Sequence, residues 1–281
     1  MLRRRICSAL ARGLLWLGAL AVAALLLSVA GYVCVRGLPG LSWQFLTGQE
    51  SALRGTEGIL PAVVNTLFVI MVSLAVVLPV GVGAAVYLTE YAGSRRLVGV
   101  IDFAAGVLSG IPSILYAMLG VLLFCDRLGL RRTLLAGSMT LAIMTLPTVL
   151  RTTRESLRAA PASYREGALG LGAGKWSMIR SVVLPASVDG VVTGCILAAG
   201  RVVGETAVLL YTAGLSTAMQ DFSGLRAAAR ASGATLSTVL YVYAKERADF
   251  TAAFAVATVL LAVAALLNAA AAAAGRRLRR V

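Results

Sequence analysis

The stretch GILPAVVNTLFVIMVSLAVVLPVGVGAAVYLT, residues 58–89, runs for 32 residues without a charged side chain. A helix crossing the roughly 30 Å hydrocarbon core of a bilayer needs about 20 residues. The stretch therefore reads as a membrane span with interfacial ends, and its internal Pro79, with Gly81 and Gly83, predicts a bend. The same pattern recurs to either side. Gly13–Val35 is charge-free over 23 residues between Arg12 and Arg36, and Phe103–Cys125, the 18-residue Thr133–Leu150 with Pro147 near its end, and Phe250–Gly275 follow. A stretch from about Ala186 to Tyr211 completes the set and carries charge inside it. In Phe103–Cys125, Gly110, Pro112 and Ser113 predict a kink, because proline lacks an N–H and disfavours helical geometry in the residue before it. The expected fold is an all-α membrane protein of about six transmembrane helices.

Composition points the same way. Of 281 residues, 59% are apolar and only 14% charged, too few charges to clothe a soluble domain. Ala, Leu, Val and Gly dominate over aromatics, which suits helices packed closely in lipid. A net charge of +14 would fit nucleic-acid binding, but the Lys and Arg side chains cluster at the termini and in alternate loops, as the positive-inside rule expects. Under six spans, sixteen of them fall on one side, among them Arg3, Arg4, Arg5, Arg12, Arg95, Arg96, Arg151, Arg154, Arg158, Arg165, Lys175 and Arg180. Nine fall on the other, among them Arg36, Arg54, Arg127, Arg131, Arg132, Arg226 and Arg230. Both termini are expected in the cytoplasm and no nucleic-acid partner is expected. The first apolar run is too long for a signal-peptide core and no A-x-A site ends it, so it reads as an uncleaved span. Histidine is absent, and Cys7, Cys34, Cys125 and Cys195 lack metal-ligand spacing and read as packing residues. Neither a metal site nor a catalytic residue is expected.

Two segments carry function. The first, Arg165 to Pro185, contains Glu166-Gly167-Ala168, then Gly172 after three residues, then nine residues to Val182-Val183-Leu184-Pro185. The Gly170 to Lys175 part imitates a phosphate-binding loop, but Leu169 stands where the first glycine is needed and Trp176 follows the lysine, so no nucleotide site is expected. The second, Arg201-Val202-Val203-Gly204-Glu205-Thr206, puts two charges within a span. Charges at membrane depth are costly and face the bundle interior or a water-filled path. Four residues apart, Arg201 and Glu205 share a helix face and can pair. Two readings stay open: a structural ion pair that holds the bundle, or an arginine lining the passage of an anion, since guanidinium presents donors matched to phosphate oxygens.

The first segment resembles the EAA motif of ABC importer permeases, matching its spacing throughout, with Gly167 and Val182 as departures. By that resemblance Glu166, Gly167, Ala168, Gly172, Leu184 and Pro185 belong to a cytoplasmic coupling loop, at about residues 156–187, that docks against a separate ATPase. Glu166 is then expected to pair with a basic group of that ATPase, and force is expected to reach the fourth and fifth spans. The run Arg201 to Ala207 resembles that of phosphate-specific ABC transporter permeases. So do Gly58–Ala62 with Asn65–Leu67, Ala85–Ala92, Gly110–Tyr116 and Leu146–Glu155. The similarity is closer to the PstA-type subunit than to its PstC-type partner.

The resemblance implies a type I ABC importer permease (MetI-like) fold, with residues 1–57 as tail, first span and periplasmic loop, 58–275 as the transporter domain, and 276–281 as a basic cytoplasmic tail. It implies a bacterial inner-membrane protein that forms a heterodimer with a PstC-type sister permease. Two copies of a PstB-type ATPase would hold the ATP and Mg, so this chain would need no cofactor, and a PstS-type protein would deliver inorganic phosphate. Arg201 and Arg151 are then candidates for the phosphate path, with Glu205 modulating them beside Thr206; an arginine placed like Arg151 also snorkels to headgroups with no other role. An ABC permease for another oxyanion or small nutrient would show the same coupling loop. A secondary transporter would show internal repeats, which the sequence lacks.

Overall fold

A computed structural model describes residues 2–51, 56–220, 227 and 230–278. Arg54, Arg226, Arg279 and Arg280, counted in the charge balance, lie outside the described residues. The first helix, α1 (Leu2–Gly37), starts well before the uncharged run. A short helix α2 (Trp43–Thr47) and a hairpin of β1 (Gln49–Ser51) and β2 (Thr56–Ile59) lead into α3 (Leu60–Val86). Helix α3 runs unbroken through Pro79 and ends in one π-helical turn, Tyr87–Tyr91, so the bend expected at Pro79 is not a break.

The expected kink in the third span is a full break. Helix α4 (Arg95–Gly110) stops, Ile111 and Pro112 are extended, and α5 (Ser113–Gly120, prolonged to Arg127 by a π-helical stretch) leaves at 101°. Pro112 cannot donate to the preceding turn and pushes Ile111 out of the helical region. Helix α6 (Leu134–Ala159) begins where Thr133 accepts the Ala136 N–H and overruns the expected end at Leu150 by nine residues, carrying Arg151, Arg154 and Arg158 with it. The surface loop that follows holds α7 (Ala162–Gly170), α8 (Lys175–Met178) and α9 (Leu184–Ala186). Helix α10 (Val188–Gly204) turns away from that loop by 65° and is followed by α11 (Ala207–Thr212), α12 (Leu236–Tyr241) and α13 (Phe250–Leu278).

Among the described residues four helices are long and apolar enough to cross a membrane, and six spans result if each bent pair counts as one. The chain is thus a multi-pass membrane protein. Helix α6 is the centre of the bundle. Its apolar window is 67% buried, against 28% for α3 and α13 and none for α1, whose leucines and Trp16 face outward. The main core joins Val69 and Ile70 of α3, Tyr116 of α5, Leu141 and Met144 of α6, Val202 of α10 and Leu209 of α11. Where α10 crosses α6, Gly190 and Gly194 face Ser156 and Thr152 so closely that a methyl group on either would clash. Ser156 and Ser187 exchange side-chain hydrogen bonds to each other's carbonyl oxygens at 3.1 and 3.3 Å. Small residues and paired hydroxyls hold helices together in lipid, where burial of apolar surface supplies little drive.

Candidate functional site

Arg201 and Glu205 do not share a helix face. Helix α10 ends at Gly204, Glu205 is extended (φ −81°, ψ 117°), and α11 restarts at Ala207 with the half-buried Thr206 before it. The Glu205 carboxylate accepts the Val208 N–H at 3.3 Å, capping the new helix, and its backbone oxygen accepts the Ser237 hydroxyl at 2.9 Å. The ion pair that one of the two readings allowed is therefore absent among the described residues. Ending a helix frees backbone groups that must find partners inside a membrane. Glu205 supplies one such partner, and its charge is spent on α11.

Arg201 is left half-buried in the last turn of α10, where the carbonyl end of the helix favours a cation. Its neighbours Val202 and Val203 pack in one core with Tyr116 of α5. Tyr116 is itself buried and donates to the Leu108 carbonyl at 2.8 Å, tying α5 back to α4 across their break. The two breaks thus lie against one core, to which Tyr116 of the first and Val202 and Val203 of the second belong, with Ile111 of the first packed against it. The wall behind them is polar and fixed: Asn65 donates to the Ala234 carbonyl at 3.0 Å, Thr66 accepts the Leu236 N–H at 2.9 Å, and Thr235 and Thr238 form a capping box at the start of α12.

Arg151 sits elsewhere. It is exposed, reaches the Asp102 backbone oxygen at 3.4 Å and lies against Gly106, so its neighbour is α4. Arg154, one turn on, is buried and pairs with the Asp102 carboxylate. Neither contact was legible from spacing, since Asp102 is some 50 residues away in sequence.

The loop between α6 and α10 is a surface element with an apolar outer face. Glu166, Gly167, Gly170 and Gly172 are exposed, and so are Tyr164, Leu169, Leu171 and Trp176, with Leu171 91% exposed. Ala168 and Leu184 are half-buried and lean on a core of Leu88, Leu157, Ile179 and Val183, and Pro185 lies in the short α9. Gly172 has φ +85°, and the N–H groups of Gly172 and Ala173 reach the Leu169 and Ala168 carbonyls at 2.9 and 3.0 Å. That is a helix-ending turn in which only glycine sits without strain.

The loop is bound to the end of α3, a partner that the spacing of the motif does not reveal. Arg165 donates twice to one oxygen of the buried Glu90, at 3.0 and 2.8 Å, and also to the Ala160 and Leu157 carbonyls at 2.9 and 2.7 Å. It therefore closes the end of α6 and fastens it to α3. Beside it, the Lys175 ammonium stands 4.8 Å from the centre of the Tyr91 ring. The available signal was the Tyr87–Ala92 segment, where Glu90 is the one acid between long uncharged and basic stretches.

Comparison with known proteins accords with this architecture. The chain is 35% identical over 222 residues to the probable ABC transporter permease protein YqgI of Bacillus subtilis, covering 79% of this chain and 76% of that protein. It is 35% identical over 221 residues to the phosphate transport system permease protein PstA 1 of Mycobacterium tuberculosis, covering 76% and 69%. Among solved structures, a chain of the bacterial alginate ABC transporter in complex with its alginate pentasaccharide-bound periplasmic protein superposes with a TM-score of 0.66 at 17% identity, over 96% of each chain. Residues 77–280 match the model of one family, and the chain belongs to it: the binding-protein-dependent transport system inner membrane components.

Proposed function

We propose that the chain is the PstA-type permease subunit of an ATP-driven phosphate importer. It lies in the bacterial inner membrane with both termini in the cytoplasm, and works with a PstC-type sister permease, two PstB-type ATPases holding ATP and Mg, and a PstS-type binding protein. The observation that carries the reading is Arg201, a half-buried guanidinium in the last turn before the break at Gly204, with no carboxylate partner among the described residues. A cation left without a counter-charge at membrane depth is matched to a passing anion, and guanidinium fits phosphate. Relatives named as phosphate transport permeases support the substrate. The exposed apolar face of the coupling loop supports a protein partner there.

The test is ATP-driven uptake of radiolabelled phosphate into proteoliposomes holding the whole complex, wild type against Arg201→Gln, with sulfate as competitor. The expected result is uptake that sulfate does not inhibit and that the assembled variant loses. Absence of phosphate uptake by the wild type would overturn the substrate, and normal uptake by the variant would make Arg201 structural.

A further inference from the structure

At the end of the bundle opposite the coupling loop lies a concavity of about 1180 Å³ that the translocation path around Arg201 does not include. Arg131, Arg132 and Arg230 line it, against a single carboxylate, Asp126. All three arginines are exposed, and none stands within ion-pair distance of a carboxylate among the described residues. Arg247, at the same end, differs: it pairs with Glu50 and lies over Tyr243.

The walls are fixed. Arg131 sits in the left-handed region (φ +56°), rare for a residue with a side chain, and its N–H bonds to the Cys125 carbonyl at 3.3 Å while that of Leu130 bonds to Phe124 at 3.0 Å. The opposite wall is pinned where the Leu134 N–H reaches the Ala231 carbonyl at 2.8 Å, and Ser232 donates to the Ala213 carbonyl at 3.1 Å. Thr133, also in the lining, opens the 26-residue α6, so the positive end of that helix faces the same space. A cleft lined by one sign of charge focuses its field and raises the local concentration of the opposite ion.

We infer that this vestibule is an oxyanion site of the phosphate class, held by Arg131, Arg132 and Arg230, outside the path at Arg201. Three guanidiniums offer planar sets of donors to tetrahedral oxygens, and the surplus over Asp126 leaves the cleft cationic. As a station for transported phosphate it rests on the proposed function; as an oxyanion site it does not. The same chemistry takes free phosphate or the headgroup phosphate of a lipid.

The test uses the assembled complex in nanodiscs, without binding protein or nucleotide, and radiolabelled inorganic phosphate in equilibrium dialysis. Wild type is expected to bind phosphate with an affinity that falls with salt. Arg131→Gln/Arg132→Gln/Arg230→Gln is expected to weaken binding by about tenfold or more, a difference of one decade in Kd. The triple lysine variant keeps the charge and should retain binding, and the loss caused by the triple glutamine variant should be the same in an Arg201→Gln background, where binding in the path is not read. Mass spectrometry of co-purified phosphatidylglycerol forms the second arm: lipid retained by wild type and lost from the glutamine variant, with no free-phosphate binding, assigns the site to headgroups. Binding of neither, or binding equal in the glutamine variant, overturns the inference. Vestibule binding in a complex that imports no phosphate would overturn the proposed function and leave the site standing.

Discussion

The contact between Glu90 and Arg165 makes a specific demand on coupling. Arg165 is 22% exposed and Glu90 6%, and one guanidinium serves a carboxylate oxygen and two carbonyls that end α6. Arg165→Ala strands a buried carboxylate. Removing one member of a buried pair costs about 3–5 kcal/mol, and the partial exposure of Arg165 places this pair near the lower end, about 3 kcal/mol. That corresponds to a shift of about two orders of magnitude in the equilibrium between a fastened and an unfastened loop. Glu90→Gln keeps an acceptor and loses the charge, so its cost is smaller, about 1–2 kcal/mol. The loss falls on a surface loop, so insertion and assembly should survive. The assay is paired: ATP hydrolysis and ATP-driven uptake by the same proteoliposomes. Arg165→Ala is expected to retain hydrolysis while losing more than nine-tenths of uptake, with Glu90→Gln intermediate. The double variant should fall well short of the sum of the single effects, since both remove one interaction. Wild-type uptake in both single variants, or strictly additive losses, would refute a role for the pair in transmitting force.

Other positions give independent checks. Gly172→Ala places a side chain at φ +85°, a conformation costing about 1–2 kcal/mol for an L-residue, and pull-down should show weaker retention of the ATPase with little change in thermal stability of the bundle. Gly194→Leu drives atoms into Thr152, whose hydroxyl would stand 2.4 Å from the first added carbon; overpacking costs about 1–3 kcal/mol, read as a lowered unfolding temperature in detergent. Glu205→Gln keeps the acceptor for the Val208 N–H and should transport nearly as wild type, whereas Glu205→Ala loses the cap, worth about 1 kcal/mol, and should transport poorly. Equal damage from both Glu205 variants in the uptake assay would restore a charge-based role for that residue.

The spans were legible because a bilayer enforces one simple rule, a run of about 20 uncharged residues per crossing. Proline chemistry likewise marked Gly110–Ser113 as irregular, though not that the chain would turn through 101°. Local spacing failed where it assumed an unbroken helix. Arg201 and Glu205 are four apart, yet nothing in the run Val202-Val203-Gly204 announces that α10 stops at Gly204, because the stop is held by Ser237 and the capping of Val208, contacts across the fold. The end of the fourth span failed for a related reason: Arg151, Arg154 and Arg158 mark the end of hydrophobicity, but the helix continues because Asp102 and the core around Leu157 give it something to pack against. Glu90 and Arg165 are 75 residues apart, and only the fold brings them together.

Helix α3 joins the loop after α6 to the surroundings of the break at Gly204. At one end its terminal turn holds Glu90 against Arg165 and Tyr91 beneath Lys175. At the other, Asn65 and Thr66 hold the backbone of Ala234 and Leu236, and the next residue, Ser237, donates to the Glu205 carbonyl at the break in the fifth span. Helix α3 itself runs for 27 residues without a break, roughly 40 Å at 1.5 Å per residue. An unbroken helix can carry an axial displacement of one end to the other, whereas the routes through α10 and the α4–α5 pair each cross a bend of 65° or 101°. A displacement of the loop after α6 would therefore reach the surroundings of Arg201 through α3 as well as through the spans that flank the loop. Asn65→Ala separates these routes, because Asn65 touches neither the loop nor Arg201 yet supplies the donor that holds Ala234. Its complex should hydrolyse ATP, keep the Glu90–Arg165 contact and transport several-fold more slowly; unchanged uptake would confine transmission to the flanking spans.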